Sequence, residues 1–404
     1  MWHGVVRFDS MASTRTVLVV LLLVASSTFP VGTAAATQQG EAYAGTHIEF
    51  ETTSNAIVDY SVDGNTVFQS VQVQSQSTAE NRGNVQAGAG LSAVTDIAGA
   101  ALSLDSQTEV SATMTAESGA AMEAHDNSRG ILVVRSGGES QYVTANVSSS
   151  SRAESESDQR VVVTSEDGTQ GTFIVIGDGE VTVNDQGNVS ANLGSDGKLV
   201  FRSYSEGRNE ENERKEQLIS EGKAAAEVYV MQTGDQGSEF AADVVQYGED
   251  TTVEVTQQTE GTVQMTAERS QRQGKIIITS VSEQAISSVE NLQVTIDGEA
   301  AAEASSYSDL ESAIGSDTPR FLVRQQSGAQ ASADVLVAVD HFSTREITMS
   351  EDGDGSNSSE INETNGSDDE DDQGATDAGG PGFGPIAALI ALVSVAALAV
   401  ARRR

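Results

Sequence analysis

The sequence predicts an all-β protein. The body is an antiparallel, β-sandwich-like structure in two β domains with short helices, set between an N-terminal signal peptide and a C-terminal hydrophobic helix. Three observations predict it. Apolar and polar residues alternate through much of the chain, as where Val110, Ala112, Met114 and Ala116 are interleaved with Ser111, Thr113 and Thr115. A period of two puts one set on a core face and the other toward solvent, the pattern of half-buried antiparallel sheet. The apolar segments are short and separated by Gly-rich turns, which favours sandwiches. Helical periodicity is confined to a few brief segments.

Residues 1–36 read as a signal peptide. Met11 is a better start than Met1, because Arg15 then supplies a basic n-region ahead of the apolar run 17–25. Ala34 and Ala36 mark a small-residue cleavage site, so the mature chain is expected to begin near Thr37. No Arg-Arg pair precedes the apolar run, which favours the general secretory route. An uncleaved N-terminal anchor is the rival reading.

The body then reads as strand after strand. Ile48 and Phe50 alternate with polar residues, and Val58, Tyr60 and Val62 lead into Asp63-Gly64-Asn65, a tight hairpin turn that needs positive φ. Phe68, Val71 and Val73 follow. The runs 131–134, 161–163 and 173–176 are continuously apolar and read as central strands. Residues 184–187 and 194–197 are turns. Later strands are expected over 228–231, 244–247, 253–256, 276–278, 292–296, 321–323 and 335–339. Two segments look helical. Residues 209–220 carry Glu211 and Lys215 at i,i+4, and 308–314 opens on a Ser308-x-x-Glu311 capping-box pattern. Residues 91–101 are ambiguous. A boundary near Asn209 gives a β-rich extracellular domain over 37–208 and a second β-rich region over 209–350. Met114-Thr-Ala-Glu117 recurs as Met265-Thr-Ala-Glu268, which suits either a duplicated β unit or chance in a Val/Thr/Ser-rich chain.

Composition narrows the function classes. The chain of 404 residues has 60 acidic residues against 22 Lys and Arg, a formal net charge of -38. Such a surface repels itself until salt screens it, so acidic excess, scarce lysine and few aromatics fit a protein made for very high salt. Phosphate binding needs Lys/Arg patches, and none is found, which speaks against nucleic acid. With Cys 0, disulfides, thiolate metal sites, a Cys nucleophile and an N-terminal lipobox are excluded.

Residues 351–377 form an acidic Ser/Asn-rich tract that like charges keep extended. It belongs to a linker over 351–380. Then come Pro381-Gly382-Phe383, an uncharged apolar run over 386–401, and Arg402, Arg403 and Arg404. The run lies at the short edge of what spans a bilayer, about 17–25 residues, and the arginines would stay cytoplasmic. This spacer, motif, helix and basic end resemble the PGF-CTERM sorting signal of haloarchaeal cell-surface proteins. The resemblance covers the tail alone. It implies processing of 381–404 by an archaeosortase and attachment of the mature end to a lipid, and it implies nothing about the body. A plain C-terminal membrane span is the alternative.

Candidate chemistry is sparse. Five Asn-x-Ser/Thr sequons occur, at Asn146, Asn188, Asn357, Asn362 and Asn365, three of them in the linker. His47, His125 and His341 have no local metal-binding spacing. Gly88-Ala-Gly90-Leu-Ser-Ala93 matches a dinucleotide fingerprint but lacks a βαβ setting. Asp178-Gly-Glu180 and Asp352-Gly-Asp354 offer oxygen ligands without a full EF-hand loop. No nucleophile elbow or phosphate loop is present. The expectation is therefore no catalytic residue, no metal and no cofactor. The reading is an exported, surface-anchored envelope glycoprotein with a structural, S-layer-associated or adhesive role. Its expected partners are the membrane, the secretion machinery, the archaeosortase and other envelope glycoproteins. The rivals are an extracellular carbohydrate or solute-binding module, marked by Tyr60, Tyr142, Tyr204, Tyr229 or Tyr247 on one exposed face, and a carboxylate-dependent hydrolase.

Overall fold

Strand alternation in this chain builds four sheets. A computed structural model describes residues 40–351 apart from 87, 234–238, 249, 271–273, 317, 326–331 and 340–343. The leader, the sorting tail and the linker beyond Glu351 lie outside the described residues, as does His341, and Glu351 itself ends a strand.

The first sheet runs, in spatial order, Ala42–Ala44, Ile48–Thr52, Ile57–Val62, Asn65–Ser75, Gln141–Val147, Val189–Leu193 and Gly179–Val183. The second runs Ser151–Ser157, Arg160–Ser165, Gln170–Ile176, Lys198–Tyr204, Ile131–Arg135, Ala121–His125, Ser111–Ala116 and Leu102–Gln107. The third is Glu239–Gln246, Ala224–Thr233, Lys275–Ser282, Ser332–Val339, Arg320–Gln325 and Ala302–Glu303. The fourth is Thr251–Thr259, Thr262–Arg269, Thr344–Glu351, Leu292–Ile296 and Glu299–Ala300. Among the described residues three helices accompany them: α1 (Gln76–Asn81), α2 (Glu210–Ser220) and α3 (Tyr307–Glu311).

The buried residues fall into stacked layers. Tyr60 and Phe68 of the first sheet meet Phe173 and Phe201 of the second in one core, with the Phe68 and Phe201 rings edge to face at 5.2 Å. Val228, Ile277 and Val337 of the third sheet meet Met265, Val294 and Ile347 of the fourth in another. A further core joins the two sandwiches. Ile131, Val133, Ile174 and Val200 pack there with Tyr229, Ile276, Ile278 and Leu336, and with Leu218, Ile219 and Leu310 from the helices. The central strands of the second and third sheets are thus covered on both faces. That is why 131–134, 173–176 and 276–278 are continuously apolar while the outward-facing strands alternate. The first two sheets use residues up to Tyr204 and the other two begin at Ala224, and all belong to one compact unit.

The all-β class holds, with two refinements. Sheet three is mixed: Ala224–Thr233 pairs in parallel with Lys275–Ser282, and Ala302–Glu303 with Arg320–Gln325. Residues 91–101 contain one short 3-10 turn, Leu91–Ala93, and no α-helix. Two local expectations are corrected. Lys215 of α2 does not pair with Glu211; it is buried and bonds Asp334, while Glu211 accepts from Tyr307. The cap of α3 is Ser306, whose Oγ accepts from the Asp309 amide, so Ser308 lies inside the helix. The hairpin at Asp63-Gly64 forms as expected, with φ of 49° and 78° at its two central residues.

Candidate functional site at the seam between the sandwiches

Alternation carries charged side chains into the seam. In Lys198–Tyr204, Leu199 and Phe201 enter the first core, so Lys198, Val200, Arg202 and Tyr204 face the other way. In Ala224–Thr233, Ala226, Val228 and Val230 face the fourth sheet and leave Glu227 and Tyr229 on the seam. The same parity presents Asp243, Asp334, Glu123, His125 and Arg135.

These groups bond to one another, and to α2, within the seam. Arg202 pairs with Glu227, each 1% exposed. Tyr229 Oη donates to the second Glu227 oxygen at 2.7 Å. Lys215 pairs with Asp334. Lys198 Nζ donates to the Tyr247 carbonyl at 2.7 Å. Glu216 of α2 is fully buried and accepts from Tyr204 Oη at 2.7 Å and from Arg208 at 2.7 to 3.0 Å. A charge taken from water must be paired, and these pairs supply that. Burial lowers the Lys215 ammonium below its usual range, an effect Asp334 opposes. For Arg202 burial again disfavours the charge, but Glu227 together with Tyr204, Tyr229 and Tyr247 outweighs it and holds the guanidinium well above its usual value. Burial pushes the Tyr204, Tyr229 and Tyr247 phenols up and keeps them neutral, and Tyr204 and Tyr229 donate to Glu216 and Glu227.

At one margin the seam opens into a cleft of about 510 Å³. Its lining includes Ser111, Thr113, Glu123, His125 and Arg135 from the second sheet and Gln246 from the third. Register places them together: Ser111 stands opposite His125, and Thr113 opposite Glu123. His125 is 5% exposed. Its Nδ1 lies 2.8 Å from Asp243 Oδ1, and Asn127 Nδ2 donates to the other oxygen at 2.7 Å. The partner nitrogen, Nε2, is buried with no hydrogen-bond partner among the described residues. Glu123 lies 4.0 Å from it. Arg135 Nη2 bonds Glu123 at 3.0 Å and the Gln246 carbonyl at 2.6 Å. Burial disfavours the imidazolium, but Asp243 and then Glu123 outweigh it, so the pKa of His125 lies above the ordinary 6.5.

The residues singled out by sequence are placed as follows. Asn146 and Asn188 sit on adjacent strand regions of the first sheet, both half-buried. Asn146 Nδ2 donates to Ser70 Oγ, and Asn188 Oδ1 accepts from the Val147 amide. Asn357, Asn362, Asn365, Pro381, Gly382, Phe383, Ala34 and Ala36 lie outside the described residues. Tyr60, Tyr142, Tyr204, Tyr229 and Tyr247 are all buried, so they form no exposed platform. His47 and His125 are not isolated; each bonds an aspartate, Asp63 and Asp243. Asp178 and Glu180 are exposed. Among the described residues no group of three or more His, Asp or Glu is placed to hold a metal, and no helix is long and apolar enough to cross a membrane. Sequence reasoning missed the seam residues. Their signal was a lone charge inside an apolar strand, as in Val-Phe-Arg202-Ser and Ala-Ala-Glu227-Val-Tyr.

Comparison with models of known protein families finds no match, and comparison with curated proteins finds none. Among solved structures, a glycoside hydrolase family 81 enzyme from Clostridium thermocellum, in a mutant form, matches with a TM-score of 0.36 at 9% identity. The match covers 77% of this chain and 35% of that one, so the chain spans about a third of that protein. A likeness of that order decides no question of activity.

Proposed function

We propose that this chain is an exported envelope protein of a haloarchaeal cell surface, anchored at its C-terminus, whose body has a structural rather than catalytic role. The observation that supports a structural body is the seam. Two sandwiches are joined through a shared apolar core, Ile131, Val133 and Val200 against Tyr229, Ile276 and Leu336, with the buried Arg202–Glu227 pair set in it, so separating them would expose that core to water. That is a device for holding two sheet pairs in one arrangement. The leader over 1–36 and Pro381-Gly382-Phe383 ahead of 386–401 supply the address. The linker over 351–380, with sequons at Asn357, Asn362 and Asn365, would hold the body away from the membrane, among other envelope glycoproteins.

Mass spectrometry of the protein from washed envelopes tests this reading. The expected species starts near Thr37, ends near Pro381 and carries glycan and lipid. A soluble cytoplasmic species that keeps residues 1–36 would overturn the export, and a chain still ending at Arg404 would overturn the processing.

A further inference from the structure

We propose that the cleft at the seam is a binding site for a small neutral polyhydroxylated ligand, a single saccharide unit or polyol, held by Glu123, Arg135 and His125. The cleft lies between two sandwiches and draws its lining from both, and ligand sites are concave and few per protein. Its volume of about 510 Å³ falls in the range of small-molecule sites.

The ligand class follows from the donors and acceptors. Leaving a buried ring nitrogen unpaired is costly, so the cleft presents one unmet hydrogen-bonding demand at His125 Nε2. With Nδ1 committed to Asp243, Nε2 is an acceptor on the neutral ring and a donor on the charged one. A hydroxyl satisfies either form, because it both donates and accepts. Glu123, 4.0 Å away, offers only acceptors, and Arg135 beside it only donors. Two adjacent hydroxyls on one molecule match this set: one donates to Glu123 and accepts from Arg135, and its neighbour meets Nε2. The Ser111 and Thr113 hydroxyls complete the floor.

Other ligand classes fit less well. Arg135 is already neutralised by Glu123, and Asp243 lies beneath His125, so an anion finds no surplus positive charge. A cation would have to displace the Arg135 guanidinium from Glu123, the one carboxylate among the described residues that line the cleft.

The test is calorimetric titration of the full chain at molar KCl with glucose, galactose, mannose, N-acetylglucosamine and glycerol, and with calcium and acetate alongside. The expected result is saturable binding of at least one sugar or polyol, with a melting temperature that rises with its concentration. Glu123→Gln and Arg135→Met should each weaken that binding about tenfold or more, with an unchanged circular-dichroism spectrum. Arg82→Met, in a separate cleft, should leave it unaltered. Failure of every sugar and polyol to bind overturns the proposal. So does binding that Glu123→Gln and Arg135→Met leave intact, or saturable binding of calcium or acetate alone. The outcome is independent of where the protein resides.

Discussion

Arg202 and Glu227 give up nearly all their hydration, each being 1% exposed. Replacing such a pair by packed apolar groups is often neutral or stabilising, whereas removing one partner leaves a buried charge and costs about 3–5 kcal/mol. Glu227→Gln should therefore destabilise by about that amount in urea melts at fixed KCl, while Arg202→Met with Glu227→Leu should recover most of the loss. Equal losses in the single and double variants would show that shape, not charge, governs the pair. His125 adds a pH term. Asp243 of the third sheet, Glu123 on its own strand and Arg135 on the next face it, and its folded pKa is raised. A group whose pKa rises on folding stabilises fully below its unfolded value, and loses that contribution as pH climbs through the folded value. Stability should thus fall from about pH 6.5 upward, and His125→Gln should fall less across that window. His47, held by Asp63, has the same sign and persists in the variant. An identical decline in both proteins would remove His125 from the account. The charges themselves were legible as interruptions of apolar runs. Their partners were not: Glu227 is 25 positions from Arg202 and Asp334 is 119 from Lys215, and no local pattern encodes that distance.

Elements were legible where one face meets water or where both meet core. Leu292–Ile296 has the bounds its alternation predicts, and 131–134 and 173–176 fall inside strands covered on both sides. Strand direction was not legible, because alternation is the same read either way. The parallel pairing of Ala224–Thr233 with Lys275–Ser282 follows from a connection that passes through the fourth sheet, which sequence spacing alone does not reveal. Helix ends depend on single side chains. Asn209 Oδ1 accepts from the Asn212 amide at 2.9 Å and caps α2, which carries Lys215 and Glu216 to the seam. Asn209→Ala should cost about 1 kcal/mol in the same urea melts, and Asn209→Asp should keep most of the stability. If both substitutions are silent, the fixed seam contacts of α2, and not its cap, hold that helix in place.

At the scale of the whole molecule two electrostatic regimes coexist. A net charge of -38 comes from 60 acidic residues against 22 Lys and Arg, and the self-repulsion of such an excess opposes the compact state. The seam pairs lie where mobile ions do not reach. At about 0.1 M salt the Debye length is near 10 Å, longer than the spacing of neighbouring surface charges, and at 1 M it shrinks to roughly 3 Å. Thermal melts followed by circular dichroism should therefore shift upward from dilute buffer to molar KCl, steeply at first and then levelling as screening completes. The Arg202→Met, Glu227→Leu variant should show a parallel curve, offset by a constant, because the pair it replaces is shielded by protein rather than by salt. Salt also strengthens apolar burial, but that effect grows with the salting-out strength of the anion, so matched ionic strengths of chloride and sulfate separate the two causes. A melt that does not move between dilute and molar KCl would mean that the acidic surface imposes no strain on the fold. A salt curve that flattens in the seam variant would mean that the buried pairs, and not the surface, carry the dependence.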